Sequence, residues 1–510
     1  MGLSSALSIA TSSLANVTSQ LAVVSHNVAN AGTPGYVSET ATQQSSTADG
    51  IGLGVVTGPV TRQIDAALQA QAFRQNSSVA GLLTTQTALQ AIDAVQGTPG
   101  QGNDIASQLG ALQDQFSTLL NDPSNQTQQE AVVSGASTLA NTINALSNAY
   151  TTQRQTAQDS IVSAVGTINT TLGTIGELSS QIVTLKCGGK STADLENQRD
   201  QAVQRLGQLV QVNTLVQPNG DMLITTSGGA ALPIHGVTNP LSTTAANVLP
   251  GTTYPGGGIP PITLNGADIT GQLTGGQLGA NITLRDATLP TYQAELDEFS
   301  QNLASRFATQ GLTLFSDPAG NVPMPAAPPL PVQSGYVGFA AAIQVNPAVR
   351  VDPSQVRDGT NDSYPPAGPF TPNPPGGPAG FSTLIDNVLT YTLGANAQGG
   401  VPPVLQPPSN TTGLGASGTL NAPYATPTTL GGEASSLVAS QAQESANTTS
   451  LLSTEQAVQT TLNSTLATAT GVNMDTEMSL MIQLQNSYGA NAKVIAAVQS
   501  MWTQLINAVQ

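Results

Sequence analysis

Cysteine and histidine are almost absent, at one Cys and two His in 510 residues. A cage of three or four nitrogen or sulfur ligands can hardly be built from such stock, so most zinc and Cys/His chemistry is ruled out. No metal, cofactor or catalytic set is expected. Cys187 has no partner for an intrachain disulfide, which suits either a cytosolic protein or an exported one that avoids stray oxidation. Charge is scarce as well: charged residues are 8% of the chain, against about 25% in an ordinary soluble domain. The 12 Lys and Arg against 29 Asp and Glu leave a net charge of −17. Without a basic block to neutralise a phosphate backbone, nucleic acid is excluded as a partner. No continuous apolar run reaches 18 residues, and the N-terminus lacks the positive start and apolar core of a signal peptide. Neither a membrane span nor a cleaved leader is expected.

The strongest pattern is at the two ends. Leu3, Leu7, Ala10, Leu14, Val17, Leu21, Val24 and Val28 step alternately by 4 and 3 residues, a heptad seam. Met481, Leu484, Tyr488, Asn491, Ile495, Val498, Trp502, Leu505 and Val509 step the same way. Asn491 is the polar member of that seam, a known device for fixing register. Between the seam positions of the first helix stand mostly Ser, Thr, Asn and Gln, so it is suited to close packing in an assembly. His26 falls off the seam and His235 sits in a Pro-Ile-His-Gly turn, and both read as surface polar groups. Gly50, Gly52 and Gly54 are not a phosphate loop, because Thr57 stands where the last glycine of GxGxxG belongs.

Between the ends the chain is a mosaic. Residues 37–65 read as a β-rich connector. From there to about 210 the pattern is helical, with Asn121-Asp122-Pro123 read as a cap with Pro starting the next helix. That helix is predicted to run 55 to 60 residues through Leu139, Ile143, Leu146, Tyr150, Ile161, Val165, Ile168, Leu172, Ile175 and Ile182. Val212–Thr226 reads as a hairpin around Pro218-Asn219-Gly220-Asp221. Residues 227–285 read as Gly, Pro and Thr with brief apolar runs, and a helix follows from about 289 to 310. Residues 318–427 hold 21 of the 33 prolines, including Pro365-Pro366 and Pro402-Pro403, which excludes long helices and central strands. This segment is expected to project outward and to be dispensable for assembly.

The expected fold is mainly α with β-rich insertions, elongated and multidomain, with the terminal heptad helices pairing as a coiled coil. Its divisions are a terminal core of residues 1–36 and 471–510, and a connector and helical trunk of 37–210 and 430–470. An α+β middle domain of 211–317 and a Pro/Gly-rich outer domain of 318–429 complete it.

Ala29-Asn30-Ala31-Gly32-Thr33-Pro34-Gly35-Tyr36, directly after the first helix, resembles the ANxxTPGY signature of bacterial flagellar axial proteins. Tyr488-Gly489-Ala490-Asn491-Ala492-Lys493-Val494-Ile495 resembles the YxANAKVI of the same group. Gly52-Leu53-Gly54-Val55 with Val60, Arg62 and Asp65, and Asp194-Leu195-Glu196-Asn197-Gln198-Arg199-Asp200 with Leu206, are similar to the connector and the LxxQRDxLxxxL helix of the hook-associated protein 1 family. The helical trunk favours that family over distal rod and hook proteins. The resemblance implies a non-enzymatic subunit of the extracellular hook–filament junction, exported unfolded by the flagellar type III apparatus. It implies as partners the hook protein, a second hook–filament junction protein, copies of the chain in a ring, and a cytoplasmic export chaperone at the C-terminal helix. Leu3, Leu7, Leu14, Val17, Leu21, Val24, Val28, Asn30, Thr33, Pro34, Gly35, Tyr36, Met481, Leu484, Tyr488, Asn491, Ile495, Val498, Trp502 and Leu505 are then the expected assembly interface. From another class, an extracellular hydrolase anchored by a coiled coil would need an acidic pair in the Pro-rich segment.

Overall fold

The computed structural model describes residues 2–33, 35–48, 51–360, 370–398 and 404–509; Pro34, Gly50, Pro365-Pro366 and Pro402-Pro403 lie outside them. The chain begins with helix α1 (Leu3–Asn30), turns at Gly35, and continues as the antiparallel hairpin β1 (Glu39–Ala48) and β2 (Ile51–Arg62). Glu39 opposes Arg62 and Gln44 opposes Val56, with irregularities between Ala41 and Gln43 and between Ser46 and Thr47. The hairpin lies along α1. At Gly54, φ +118°, they approach closely, since a Cβ there would run into the hydroxyl of Ser12.

Four helices follow: α2 (Ala66–Gln96), α3 (Ile105–Asn121), α4 (Gln126–Cys187) and α5 (Ala193–Leu209). Each of the first three starts on a side-chain cap. Asp65 accepts the amides of Ala67 and Leu68, Asp104 that of Ser107, and Asn125 that of Gln128. The α4 cap is therefore Asn125, three residues past the helix break, and Pro123 stands outside the helix. Its carbonyl instead accepts from the buried Gln129 amide at 2.8 Å. At 62 residues and 1.5 Å per residue, α4 spans about 93 Å.

The Val212–Thr226 hairpin forms as β3 (Val212–Val216) and β4 (Met222–Thr226), extended by β5 (Ala231–Leu232), with Val216 opposite Met222. A second small sheet joins β6 (Leu241–Ser242), β7 (Thr263–Leu264) and β8 (Ala267–Asp268). Helix then starts earlier than the composition suggests. α6 (Gly276–Thr283) passes through a π-helical turn, Leu284–Thr288, into α7 (Leu289–Thr309), and within it Leu278 and Leu284 are buried while Thr283 is exposed. After the Pro-rich segment, α8 (Leu430–Thr470) returns along α2, α3 and α7, and α9 (Met474–Val509) pairs with α1.

Two apolar cores sit along α4. One packs Ile161, Val165, Ile168, Leu172 and Ile175 against Val203 and Leu206 of α5, Ile224 of the sheet and Leu278 of α6. The other packs Leu139, Ile143, Leu146 and Tyr150 against α3, α7 and α8. Between them lies a polar layer. Arg154 donates to the carbonyls of Arg285, Leu249 and Thr252, and Arg285 reaches Gln158 and Asp286. The Pro-rich segment has only short helices and two-to-three-residue strands among its described residues, yet Ile343, Val345, Val349, Val356, Leu384, Ile385 and Val388 are buried in the second core. That burial counts against the expectation that the segment is dispensable for assembly, since its removal would strip one side of α7 and α3.

Candidate functional site

The site is the joint where the two terminal helices meet each other and the trunk. Along α1, Ser12, Asn16, Gln20 and Asn27 fall on one face, because 4 and 11 residues are close to whole turns at 3.6 per turn. That polar ridge seats the hairpin. Asn16 donates to Gln43 at 2.8 Å and accepts from Thr57 at 3.2 Å. The seam faces α9. Val17, Val24 and Leu484 are buried together, with Leu21 and Met481 packed on them. Asn491 donates to the hydroxyl of Ser13 at 3.2 Å, a polar tie inside the pair.

The rest of the seam is more open. Leu3, Leu7, Leu14, Val28 and Ile495 are half-buried and Val498 is buried, while Tyr488, Trp502 and Leu505 are about half exposed, at 44%, 47% and 54%. Leu7, Val498 and Trp502 line a shallow groove between the helices. With Ile482, Val494, Met501 and Ile506 also exposed, α9 carries more apolar surface than α1 covers. α1 is the one described helix long and apolar enough to cross a membrane, with a mean hydropathy of 1.2 over its best window. This qualifies the expectation from continuous runs alone, since Ser and Thr interrupt every run without making the helix polar. Here its apolar positions face α9.

At the root of the pair the signature residues serve a hydrogen-bond network centred on Asn27. Its Nδ2 donates to the Glu39 carbonyl and to Glu477 Oε1, both at 2.9 Å, and its Oδ1 accepts from the Glu39 amide and the Tyr36 hydroxyl, both at 3.0 Å. All four bonds of a buried amide are thereby made. Asn30 donates to the His26 carbonyl at 3.0 Å and Thr33 caps back toward Asn30, so these two hold the end of α1. Gly35 turns the chain at φ +78°. His26 lies on this joint rather than on an open surface, with Nδ1 3.2 Å from the Tyr36 hydroxyl and 3.6 Å from Glu39 Oε2, and Nε2 3.5 Å from Asp194 Oδ1. Burial, and then the charges of Glu39, Asp194 and Glu477, push the Tyr36 hydroxyl well above its ordinary range. Burial also raises the Glu39 carboxyl, with Asp194 adding to the rise and His26 opposing it.

The connector motif ties this joint to the trunk. Arg62 Nε donates to Glu196 at 2.9 Å, and Arg62 Nη1 to Asn197 at 2.9 Å and to Asp200 at 2.8 Å, all on α5. Arg199, from the same motif, is buried and donates to the Gly220 carbonyl in the β3–β4 turn at 2.6 Å. Asn16, Asn27, Glu39, Asp194 and Glu477 were not singled out by the seam; for Asn16 and Asn27 the regular spacing of amides beside the leucines carried the signal. His235 is half exposed and pairs with Asp221 at 2.9 Å.

Residues 89–321 match the family described as flagellar hook-associated protein FlgK helical domain, and residues 467–508 match flagellar basal body rod FlgEFG protein C-terminal. Flagellar hook-associated protein 1 of Escherichia coli (strain K12) is 26% identical over 319 residues, 60% of this chain and 57% of that protein. The protein of the same name from Salmonella typhimurium is 27% identical over 237 residues, 45% of this chain and 42% of that one. The chain thus spans about half the length of the curated relatives it matches. The flagellar hook junction protein FlgK from Burkholderia pseudomallei is a structural neighbour with a TM-score of 0.40 and 27% identity, covering 50% of this chain and 45% of that one. The helical trunk is thus similar to that of flagellar hook-associated protein 1, and the last helix to the rod-type C-terminal segment.

Proposed function

We propose that this chain is a structural, non-enzymatic subunit of the bacterial flagellum at the hook–filament junction, built into it through α1 and α9. The observation that carries this reading is the unequal pair: α9 shows Ile482, Tyr488, Trp502, Leu505 and Ile506 at about half exposure beside a partner helix whose seam is already used. Such a stripe is a contact surface in a polymer and an aggregation hazard outside one. The proposed division of labour has residues 1–36 and 471–510 in the tube core. The connector and trunk of 37–210 and 430–470 transmit their position outward, and 211–317 with 318–429 cover the outside.

The same reading has the chain leave the cytoplasm through the flagellar type III apparatus without a cleaved leader, with an export chaperone on the α9 stripe by helix-in-groove docking. Outside, it contacts the hook protein, a second junction protein and copies of itself in a ring. A distal rod or hook subunit is the alternative, favoured by the rod-type match at 467–508; the all-helical course of 66–209 favours the junction. Deleting the gene decides between them. Intact hooks with filament monomers shed into the medium support a junction role, whereas cells without hooks indicate a rod or hook subunit.

A further inference from the structure

Three elements that are distant in sequence, α1, β1 and α5, bring one imidazole and two carboxylates together at the root of the terminal pair. A ring nitrogen of His26, a carboxylate oxygen of Glu39 and one of Asp194 all lie within 4.8 Å of one another.

The proton order around them follows from the donors available. Asn27 Oδ1 only accepts, so the Tyr36 hydroxyl must give it the one hydrogen it has. The Tyr36 oxygen then accepts from His26, which places the hydrogen of a neutral imidazole on Nδ1. Nε2 is left with a bare lone pair, 3.5 Å from Asp194 Oδ1. Two electron-rich atoms facing each other need a proton or a cation between them. Glu39 brings a second carboxylate. Its side chain is 5% exposed, Oε1 accepts from Asn197 at 3.1 Å, and Oε2 stands 3.6 Å from the Nδ1 side of the ring.

Distance separates the two candidates. A charge-assisted N–H···O bond closes to about 2.7–2.9 Å, and neither carboxylate approaches the ring so near. Ligands at about 2.0–2.2 Å around one tetrahedral ion stand about 3.4 Å apart; Nε2 and Asp194 match this at 3.5 Å, and a Glu39 oxygen completes a set of three donors within 4.8 Å of one another.

We propose that His26, Glu39 and Asp194 form a binding site for a divalent transition-metal ion of the zinc class, which staples the terminal helix pair to trunk helix α5. His26 offers Nε2 and each carboxylate one oxygen, a donor set that suits Zn²⁺ better than Ca²⁺ or Mg²⁺. Tyr36 fixes the tautomer, the role that outer partners of ligating histidines commonly play. Asp194 is 63% exposed and supplies the open side through which the ion enters.

The test is calorimetric titration of the full-length chain with ZnCl₂, in a Cys187→Ser background so that the exposed thiol is not counted. About one ion should bind per chain, with MgCl₂ giving no heat. Asp194→Asn, a change at an exposed side chain that leaves the fold intact, should weaken zinc at least about tenfold. Asp194→His should restore it, which a merely structural role for that position would not do. Lack of binding by the parent, or equal affinity in Asp194→Asn, overturns the proposal and leaves a proton between Nε2 and Asp194. The readout is binding by the isolated subunit, so it stands or fails separately from the junction reading.

Discussion

Asn27 of α1 and Glu477 of α9, 450 positions apart, share a hydrogen bond of 2.9 Å between amide Nδ2 and carboxylate Oε1. The same amide holds the Glu39 backbone and Tyr36, so one side chain joins the first helix, the signature turn, the connector and the last helix. Asn27→Ala would leave several of these groups buried and unpaired, at about 1–3 kcal/mol each. The expected outcome is hydrogen exchange at residues 474–485 faster by about one hundredfold or more, with 139–175 unchanged. Unchanged exchange at 474–485 would remove Asn27 from the centre of the joint.

The two parts of the α9 seam should separate in mutants. Leu484 is buried against Val17 and Val24, so Leu484→Ala is expected to destabilise the terminal pair of the isolated subunit by about 2 kcal/mol or more. Trp502→Ala and Leu505→Ala remove exposed groups and should leave the subunit's melting unchanged while blocking its incorporation into flagella, scored by electron microscopy of complemented cells. Normal filaments on Trp502→Ala and Leu505→Ala cells would show that the exposed stripe is not used.

Glycines in α4 should respond in opposite senses. A Cβ at Gly176 would run into the carbonyl oxygen of Ile234, whereas at Gly173 it meets nothing within 4 Å. Gly173→Ala is expected to stabilise the trunk by about 0.5–1 kcal/mol through helix propensity. Gly176→Ala should lower its stability by about 1–3 kcal/mol despite the same gain. Thermal melts of the two variants measure both, and a stabilised Gly176→Ala would mean that the 227–241 loop does not pack where it is placed.

Trunk stability should fall as pH rises. Burial raises the carboxyl of Glu295 to about 8 and those of Asp297 and Glu433 to about 7. Both oxygens of Glu295 lack a hydrogen-bond partner among the described residues. The folded chain therefore holds protons that the unfolded chain releases from about pH 4 upward. The stability these groups give is fully present below that pH and is lost as pH rises to 7–8. In the other direction, hydrogen bonds from the Ser107 side chain and amide and from the Gly100 amide outweigh burial and hold Asp104 below its ordinary range. That contribution is lost on acidification through the lowered value. Melting temperature should peak near pH 5, and Glu295→Gln should flatten the fall toward pH 8. An unaltered pH profile in that variant would exclude Glu295 as its source.

The long helices were legible because their burial is periodic: Leu139, Ile143, Leu146 and Tyr150 of α4 are all fully buried. The root of the terminal pair was half legible. Leucine spacing marked the apolar seam, but the amide ridge of Asn16 and Asn27 only has meaning once the hairpin lies across it. The Pro-rich segment was the least legible in its packing. Short apolar runs between prolines carry no period, so Ile343, Leu384 and Ile385 gave no hint that α7 and α3 are covered by them. Replacing residues 318–427 by a Gly/Ser linker is accordingly expected to lower the melting temperature of the trunk and expose dye-binding apolar surface. An unchanged melt would mean that the segment's burial contributes nothing to trunk stability.

The Ser38 amide donates to the Thr470 carbonyl at 2.8 Å, where the last turn of α8 passes the start of the connector. Once the trunk is folded, the two arms leave it side by side, a few residues from that bond. Pairing of α1 with α9 is then a local encounter at millimolar effective concentration rather than the closing of a loop of several hundred residues. A neighbouring subunit that offers its own arm has to compete with that local concentration. In the proposed assembly, the unit that each subunit presents is thus a two-helix finger, with its pairing chosen in advance and only its outer stripe left to trade.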